Sequence, residues 1–148
     1  MNRSRITFTL NELVHVLNST ADRLLRANFE LTYSQFLFLA TLMSKDKPTP
    51  SYLAESLGVS RAAVSQRLSW FQERDLVRVS RVSGNEKKLS LELTGKGELL
   101  ATQSADFLEE EFRILFASGA SVDLEKLDKT LNEVKIQLIE NMESRNAA

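Results

Sequence analysis

The apolar residues of this chain recur every three or four positions over most of its length, which is the spacing of helices with one buried face. The first such stretch, residues 9–28, predicts an amphipathic helix. Its apolar positions are Leu10, Leu13, Val14, Leu17, Ala21 and Leu24. A second apolar run, residues 36–43, follows Thr32 and Gln35, which have the spacing of a capping box. The pattern therefore predicts two helices before residue 45.

Residues 50–74, PSYLAESLGVSRAAVSQRLSWFQER, read as two short helices joined by a tight turn at Gly58. Thr49 is placed to cap the first of them, and Pro50 occupies the position where a missing N–H costs nothing. Gly58 supplies the left-handed conformation that lets the chain leave this helix. Ser60 is placed to cap the second helix, which ends near residues 74–75. Its inward face is Val64, Leu68 and Phe71.

The period then changes to that of β-strands. Residues 76–81 and the alternating residues 89–93 predict a hairpin, with a polar, basic turn at residues 82–88 that contains Gly84 and Asn85. Thr94 is placed to cap a long helix whose first turn is weakened by Gly95 and Gly97. Residues 117–120 break this helix. Ser121 is placed to cap a final helix with a coiled-coil-like seam of Leu124, Leu127, Leu131, Val134, Leu138 and Met142.

The order helix, helix, helix-turn-helix, hairpin, helix, helix defines the expected fold class. It is mainly α with a small β-hairpin wing: a winged helix-turn-helix with N- and C-terminal dimerisation helices. The 148 residues fit a single domain. We expect the dimerisation helices at about 9–30 and 98–146 and the DNA-binding lobe at about 31–97. Because an elongated monomer would expose the leucine seam, a homodimer is expected.

Composition narrows the function. The net charge is −1, but residues 58–88 carry seven basic and three acidic side chains, whereas residues 98–145 carry five and eleven. A basic segment on an acidic body favours a nucleic-acid surface. The chain has no cysteine and one histidine, so neither a thiolate nucleophile nor a zinc site is expected, and no cofactor or catalytic constellation is recognisable. Without an evident leader or membrane span, a cytoplasmic protein is expected.

The second helix of the helix-turn-helix presents small and polar side chains of the kind that read the major groove of double-stranded DNA. Arg67 and either Ser51 or Tyr52 are candidates for contacts with the backbone phosphates. In the hairpin, Arg81, Lys87 and Lys88 are candidates for contacts with the DNA backbone or the minor groove. The DNA-binding candidates are Ser51, Ser60, Arg61, Ala62, Ser65, Gln66, Arg67, Arg81, Lys87 and Lys88. The competing interpretations are a solvated helix face and an ordinary hairpin tip.

Three segments, LTYSQFLFLATL, LAESLGVSRAAVSQRL and DLVRVSRVSGNEKKLSLELTGKGELL, together resemble the MarR family of bacterial winged helix-turn-helix transcription regulators. The resemblance extends over about residues 10–138. It implies a homodimer that binds a pseudo-palindromic operator, usually as a repressor, and that releases DNA when a small phenolic or anionic effector binds. Near the family's effector pocket lie His15, Arg23, Tyr33, Phe36 and Phe107.

The resemblance also has departures. Asn85 and Lys87 stand where the family's wing usually has an aspartate and an arginine. Asn85 has no charge with which to hold a cationic neighbour, and Lys87 lacks the planar guanidinium group of arginine. Gln66 replaces a common arginine, and Asp75 stands where a glycine often ends the recognition helix. Two alternatives remain open: a winged-helix module that binds protein, and a regulator without small-molecule control.

Overall fold

The computed structural model describes residues 5–119 and 121–147, apart from the side chain of Glu86. The chain divides into two compact units, Met1–Glu109 and Glu110–Ala148. The expected mainly α fold with a small β-hairpin is confirmed, because the described residues form six helices and one two-stranded antiparallel sheet. The elements are α1 (Ile6–Phe29), α2 (Tyr33–Met43), α3 (Pro50–Leu57), α4 (Arg61–Glu73), β1 (Val77–Val82), β2 (Asn85–Leu93), α5 (Gly95–Ala117) and α6 (Leu124–Asn146).

The core of the first unit lies where α2, α4 and the sheet meet. Phe38 of α2 and Phe71 of α4 are fully buried, and their rings stack with centroids 4.5 Å apart. Leu39, Leu53 and Leu91 are also fully buried, so α2, α3 and β2 each contribute to this core. Burial of such side chains stabilises the fold by about 1.5–3 kcal/mol each, which fixes one face of α4 inward.

The base of β2 is held from outside the hairpin. The backbone N–H of Leu91 donates to the carbonyl of Pro48 at 2.9 Å, and Pro48 is itself buried. The loop before α3 therefore pairs with β2 on the edge opposite β1. This bond ties the sheet to the start of the helix-turn-helix.

The connection between α1 and α2 is built from local hydrogen bonds. Thr32 forms the predicted capping box: its hydroxyl accepts from the Gln35 N–H, and the Gln35 side chain accepts from the Thr32 N–H. Asp22 of α1 also bonds to the start of α2, because one of its carboxylate oxygens accepts from the Tyr33 N–H at 2.8 Å. Its other carboxylate oxygen accepts from Arg26 Nε, also in α1, at 2.6 Å. These bonds hold the pKa of the Asp22 carboxyl below its ordinary value, the Tyr33 N–H contributing most.

Asp22 should make the stability of the fold depend on pH. A carboxyl group whose pKa is lowered by folding contributes stability above its unfolded pKa of about 4, and this contribution is lost as the pH falls through the lower folded value. Since the side chain is about one third exposed, we expect Asp22→Asn to cost about 1 kcal/mol at pH 7 and clearly less at pH 3. Urea unfolding at one protein concentration measures both values.

Glu12→Gln is the matched control, because Glu12 is an exposed carboxylate on the same helix. We expect it to change the unfolding free energy little at either pH. An equal cost of Asp22→Asn at pH 7 and pH 3 would show that the carboxylate charge does not support the α1–α2 connection.

Several predicted boundaries are wrong by a few residues. Helix α1 begins at Ile6 instead of about residue 9. The start of the predicted break at residues 117–120 is confirmed, because α5 ends at Ala117, while Ala120 lies outside the described residues. Ser121 does not cap α6. Asp123 does so instead, its carboxylate accepting from the Lys126 N–H at 3.1 Å, because an anionic side chain is the stronger acceptor at a helix N-terminus.

The hairpin turn is much tighter than residues 82–88. Val82 pairs with Asn85, so the loop is Ser83 and Gly84 alone, and a bulge follows Arg81. Gly84 has a φ of 81°, the sign that the third position of a type II turn requires and that glycine adopts without strain. Lys87 and Lys88 therefore lie in β2, in its irregular stretch between the Arg81–Leu89 and Val82–Asn85 pairs.

Helix α4 ends in a left-handed residue that is not glycine. Asp75 has a φ of 55°, its N–H donates to the Gln72 carbonyl, and the Leu76 N–H donates to the Phe71 carbonyl at 2.9 Å. This is the hydrogen-bond pattern of a Schellman motif. Asp75 thus adopts the left-handed conformation for which a glycine is often found at this position.

Candidate nucleic-acid interface

The angle between α3 and α4 is fixed by their shared turn. Gly58 has a φ of 64°, and its N–H and that of Val59 donate back to α3 carbonyls. Thr49 caps α3 as predicted, accepting from the Tyr52 N–H at 3.2 Å. The ring of Tyr52 lies 4.0 Å from Lys45 Nζ. Local hydrogen bonds thus fix where α3 begins and where it ends.

Helix α4 buries one face and exposes the other, as the sequence predicts. Ser60 caps it, its hydroxyl accepting from the Ala63 N–H at 3.1 Å. The buried positions are Val64, Leu68 and Phe71. The exposed positions near its N-terminus are Arg61, Ala62, Ser65 and Gln66, whereas Arg67 is half-buried. A rigid rod with small and polar groups outward has the form of a groove-reading helix.

A cleft of about 390 Å³ lies between the helix-turn-helix and the wing. It brings together four of the predicted DNA-binding residues from three elements: Ser51, Arg61, Lys87 and Lys88. Thr49, Pro50, Asn85 and Leu89 complete its lining. Three cationic side chains and the N-terminus of α3 therefore surround one concave surface, which is an arrangement suited to an anion such as a backbone phosphate.

Asn85 organises the backbone of the wing. Its side-chain oxygen accepts from the Lys87 N–H at 3.3 Å. The absent aspartate is thus replaced by a residue that shapes the start of β2 and does not neutralise the lysine charge. Lys87 remains exposed, so its ammonium group is available to a ligand.

The other predicted DNA-binding residues do not line this cleft. Ala62, Ser65, Gln66 and Arg67 lie along α4 beyond it, and Ser60 uses its hydroxyl as a helix cap. Arg81 is exposed on β1, where it pairs with Leu89. The structure therefore gives two adjacent surfaces, the cleft and the exposed face of α4.

Sequence reasoning missed the residues that hold the end of α4. The Arg74 guanidinium lies 4.0 Å from the Trp70 ring centroid and also donates to the Trp70 carbonyl. Lys96 in the first turn of α5 and Thr94, the residue before α5, donate hydrogen bonds to the same region. The sequence predicts Thr94 as a helix cap, but nothing near Thr94 in the sequence indicates that its side chain also binds the end of another helix.

The effector candidates are spread over the first unit. His15 and Arg23 are exposed on α1, whereas Tyr33 and Phe36 are half-buried and stack at 6.2 Å. Burial raises the pKa of the Tyr33 phenol. Phe107 contacts Phe29 edge-to-face at 5.3 Å. None of these residues lines the cleft beside α4, and an effector site at them stays a prediction.

Two further findings concern the described residues as a group. They contain no cluster of three or more histidine, aspartate or glutamate side chains arranged to hold a metal ion. Among them, too, no helix combines the length and apolar character needed to span a bilayer.

Residues 29–87 match the model of the MarR family. A relative from Bacillus subtilis strain 168, the uncharacterised HTH-type transcriptional regulator YvnA, is 26% identical over 104 residues, which cover 68% of this chain and 66% of YvnA. The chain thus spans just under two thirds of that relative.

Two solved structures share the fold. The transcriptional regulator BldR from Sulfolobus solfataricus has a TM-score of 0.75 at 20% identity, covering 90% of this chain and 94% of BldR. FabT from Streptococcus pneumoniae, solved in complex with DNA, has a TM-score of 0.76 at 17% identity, covering 95% and 99%. The family model thus matches the helix-turn-helix and the first part of the wing, and the fold of the chain is that of these two regulators.

Proposed function

We propose that this protein is a cytoplasmic, sequence-specific DNA-binding transcription regulator, and no enzyme, that acts as a homodimeric repressor on a pseudo-palindromic operator. The observation that carries the proposal is the convergence of Arg61, Lys87 and Lys88 on one cleft beside the exposed face of α4. FabT, which shares the fold, was solved bound to DNA. The cationic cleft can attract backbone phosphates, and the exposed face of α4 can contact bases in the major groove, so the two surfaces together supply both contributions to DNA binding.

The residues divide into two roles. Arg61 can fork onto the O6 and N7 acceptors of guanine, Gln66 can pair with the N6 and N7 edge of adenine, and Ala62 can contact a thymine methyl. Ser51, Arg67, Lys87 and Lys88 contact phosphates and set the register of the protein on the duplex. Arg81 adds positive charge on the outer surface of the wing.

The homodimer is supported by apolar side chains that the single chain leaves exposed. On α1, Ile6 and Phe8 are each 59% exposed. Helix α6 buries none of its residues, and its seam from Leu127 to Met142 is open. A soluble monomer rarely exposes so much contiguous apolar surface. In a two-fold dimer, the two α4 helices would enter successive major grooves, with half-sites about 10 bp apart.

Selection of bound sequences from a pool of random duplex DNA tests the proposal. We expect enrichment of an inverted repeat with half-site centres about one helical turn apart. Enrichment of no sequence, or of a single half-site bound by one subunit, would contradict it. The alternative, a module that binds protein, predicts binding that is insensitive to salt, whereas DNA binding falls steeply with it.

The wing lysines should contribute to the salt dependence of DNA binding. Each phosphate contact lowers the slope of log K against log salt concentration by about 0.9, so Lys87→Ala with Lys88→Ala should flatten the slope by about two. Fluorescence anisotropy on a fixed duplex from about 50 to 200 mM salt measures it. The double variant Lys126→Ala, Lys129→Ala removes the same charge from α6 and serves as the control. An unchanged slope in the wing variant would exclude both lysines from the interface.

A small-molecule effector that releases DNA is part of the proposal. The aromatic pair Tyr33 and Phe36, half-buried at the start of α2, supports a site for a planar compound. Since both subunits must fit one duplex at once, a ligand that changes the separation of the two α4 helices would change affinity.

A further inference from the structure

We infer that Thr94 and Lys96 are positioning residues for DNA recognition: they fix the direction of α4 by binding its C-terminal exit to the first turn of α5. The inference rests on the proposed function, since it concerns how α4 is presented to DNA. Neither residue lies in the cleft or on the exposed face of α4, so each acts through α4.

Three consecutive carbonyls after α4 are held from the start of α5. Lys96 Nζ donates to the Arg74 carbonyl at 2.9 Å. The Thr94 hydroxyl donates to the Asp75 carbonyl at 2.6 Å, and the Thr94 N–H donates to the Leu76 carbonyl at 3.0 Å. The exit of α4 is therefore bonded, residue by residue, to the segment that begins α5.

These bonds are not needed to cap α4. The carbonyls of Trp70, Phe71 and Gln72, near the helix end, already accept from donors at residues 74–76 within the same segment. The donors from α5 bind the next three carbonyls, beyond the helix. Their effect is thus to join two elements.

The joint is buried and tightly fitted. Thr94 is 7% exposed, and its hydroxyl also accepts from the Gly97 N–H at 3.0 Å, so one side chain caps α5 and holds α4. A methyl group at Gly97 would lie 2.0 Å from the Leu76 carbonyl oxygen. The backbone of Gly97 in α5 is therefore in direct contact with the backbone of Leu76, which follows α4. A change in the direction of α5 would thus also change the direction of α4.

A small rotation at this end has a large effect at the other. Helix α4 has 13 residues and is about 20 Å long, so a tilt of about 10° about its C-terminal end moves Arg61 by about 3.5 Å. That is about the rise of one base pair along the DNA axis. Loosening the joint should therefore blur the spacing between half-sites that the dimer accepts.

The decisive variants are Thr94→Val, which keeps the shape of the side chain and removes its hydroxyl, and Thr94→Ser, which restores the hydroxyl. The readout is a spacing ratio: the dissociation constant for a duplex whose half-sites are one base pair further apart, divided by the dissociation constant for the duplex with the selected spacing. We expect Thr94→Val to lower this ratio by about two- to tenfold, the factor that one or two hydrogen bonds are worth, and Thr94→Ser to restore it.

A second measurement needs no DNA. The chain has no cysteine, so Gln72→Cys on α4 with Gln103→Cys on α5, both exposed, can carry spin labels. Diluted with unlabelled protein, they report the α4–α5 distance within one chain. We expect a narrow distribution in the parent protein and in Thr94→Ser, and a broader one in Thr94→Val. Failure of the parent protein to bind any duplex would refute the proposed function, while the distances still test the joint.

Lys96→Met provides the independent variant, because Lys96 is exposed and its removal does not open a cavity. If Thr94→Val does not fold, Lys96→Met alone tests the inference. Like Thr94→Val, it should broaden the distribution of α4–α5 distances and lower the spacing ratio. Parent-like distances and spacing ratios in the folded variants, with a change in unfolding midpoint alone, would overturn the inference and leave Thr94 and Lys96 with a purely stabilising role.

Discussion

Gly97→Ala is expected to destabilise the fold by about 3 kcal/mol, because among the five glycines only Gly97 has atoms within 4 Å of the added Cβ. The new Cβ would lie 2.0 Å from the oxygen and 2.9 Å from the carbon of the Leu76 carbonyl. Both are backbone atoms, held in place by the Thr94 N–H and the start of β1. Since no side chain can rotate away, α5 or the α4–β1 connection must move, and overpacking of this kind is costly.

Gly95→Ala is the matched control for Gly97→Ala. It lies in the same turn of α5, nothing is within 4 Å of its added Cβ, and its φ is not positive. Alanine has the higher helix propensity, so this variant should be neutral or slightly more stable. Thermal unfolding at equal concentration compares the two. Equal effects would show that helix propensity, and not the contact with Leu76, decides the cost at residue 97.

Arg61→Ala is expected to weaken binding to the selected operator by about 5- to 150-fold, which corresponds to about 1–3 kcal/mol, and to relax the preference at one base position. Arg61 is the position at which the cleft and the exposed face of α4 meet. Loss of its guanidinium group removes a positive charge that can attract phosphates and a pair of N–H donors that can bind guanine. Competition between the operator and single-base variants measures the change.

Arg61→Lys separates the two contributions. Lysine keeps the charge but lacks the planar fork, so we expect the salt dependence to stay near that of the parent protein while discrimination at the base position is lost. An equal loss of affinity for every sequence in Arg61→Ala would place Arg61 on the phosphates alone and remove it from base reading.

The parts of the fold that are predictable from sequence are those fixed within four or five residues. The caps at Thr32, Thr49 and Ser60 and the left-handed Gly58 each depend on side chains and carbonyls in the same turn. The wing turn was misjudged because strand pairing, which extends to Asn85, depends on the partner strand and on the bulge after Arg81. Ser121 lost to Asp123 because two acceptable caps lay two residues apart.

The candidate site shows the same division. The sequence identifies Arg61, Lys87 and Lys88 as exposed cations, because they stand in polar, basic segments. Their convergence on one cleft with Ser51 is a property of the tertiary fold. The bonds from Thr94 and Lys96 join residues 19 and 22 positions apart, and a glycine that weakens a helix turn gives no indication of which carbonyl approaches it.

The bond from the Leu91 N–H to the Pro48 carbonyl bears on how this protein avoids self-association through its sheet. Unpaired strand edges recruit strands from other molecules and start aggregates. Here the outward-facing N–H of Leu91, near the C-terminal end of β2, already donates to the Pro48 carbonyl, and the proline itself has no N–H to offer. A foreign strand approaching that edge would find its pairing interrupted, so a nine-residue strand can stand at the surface without becoming a template.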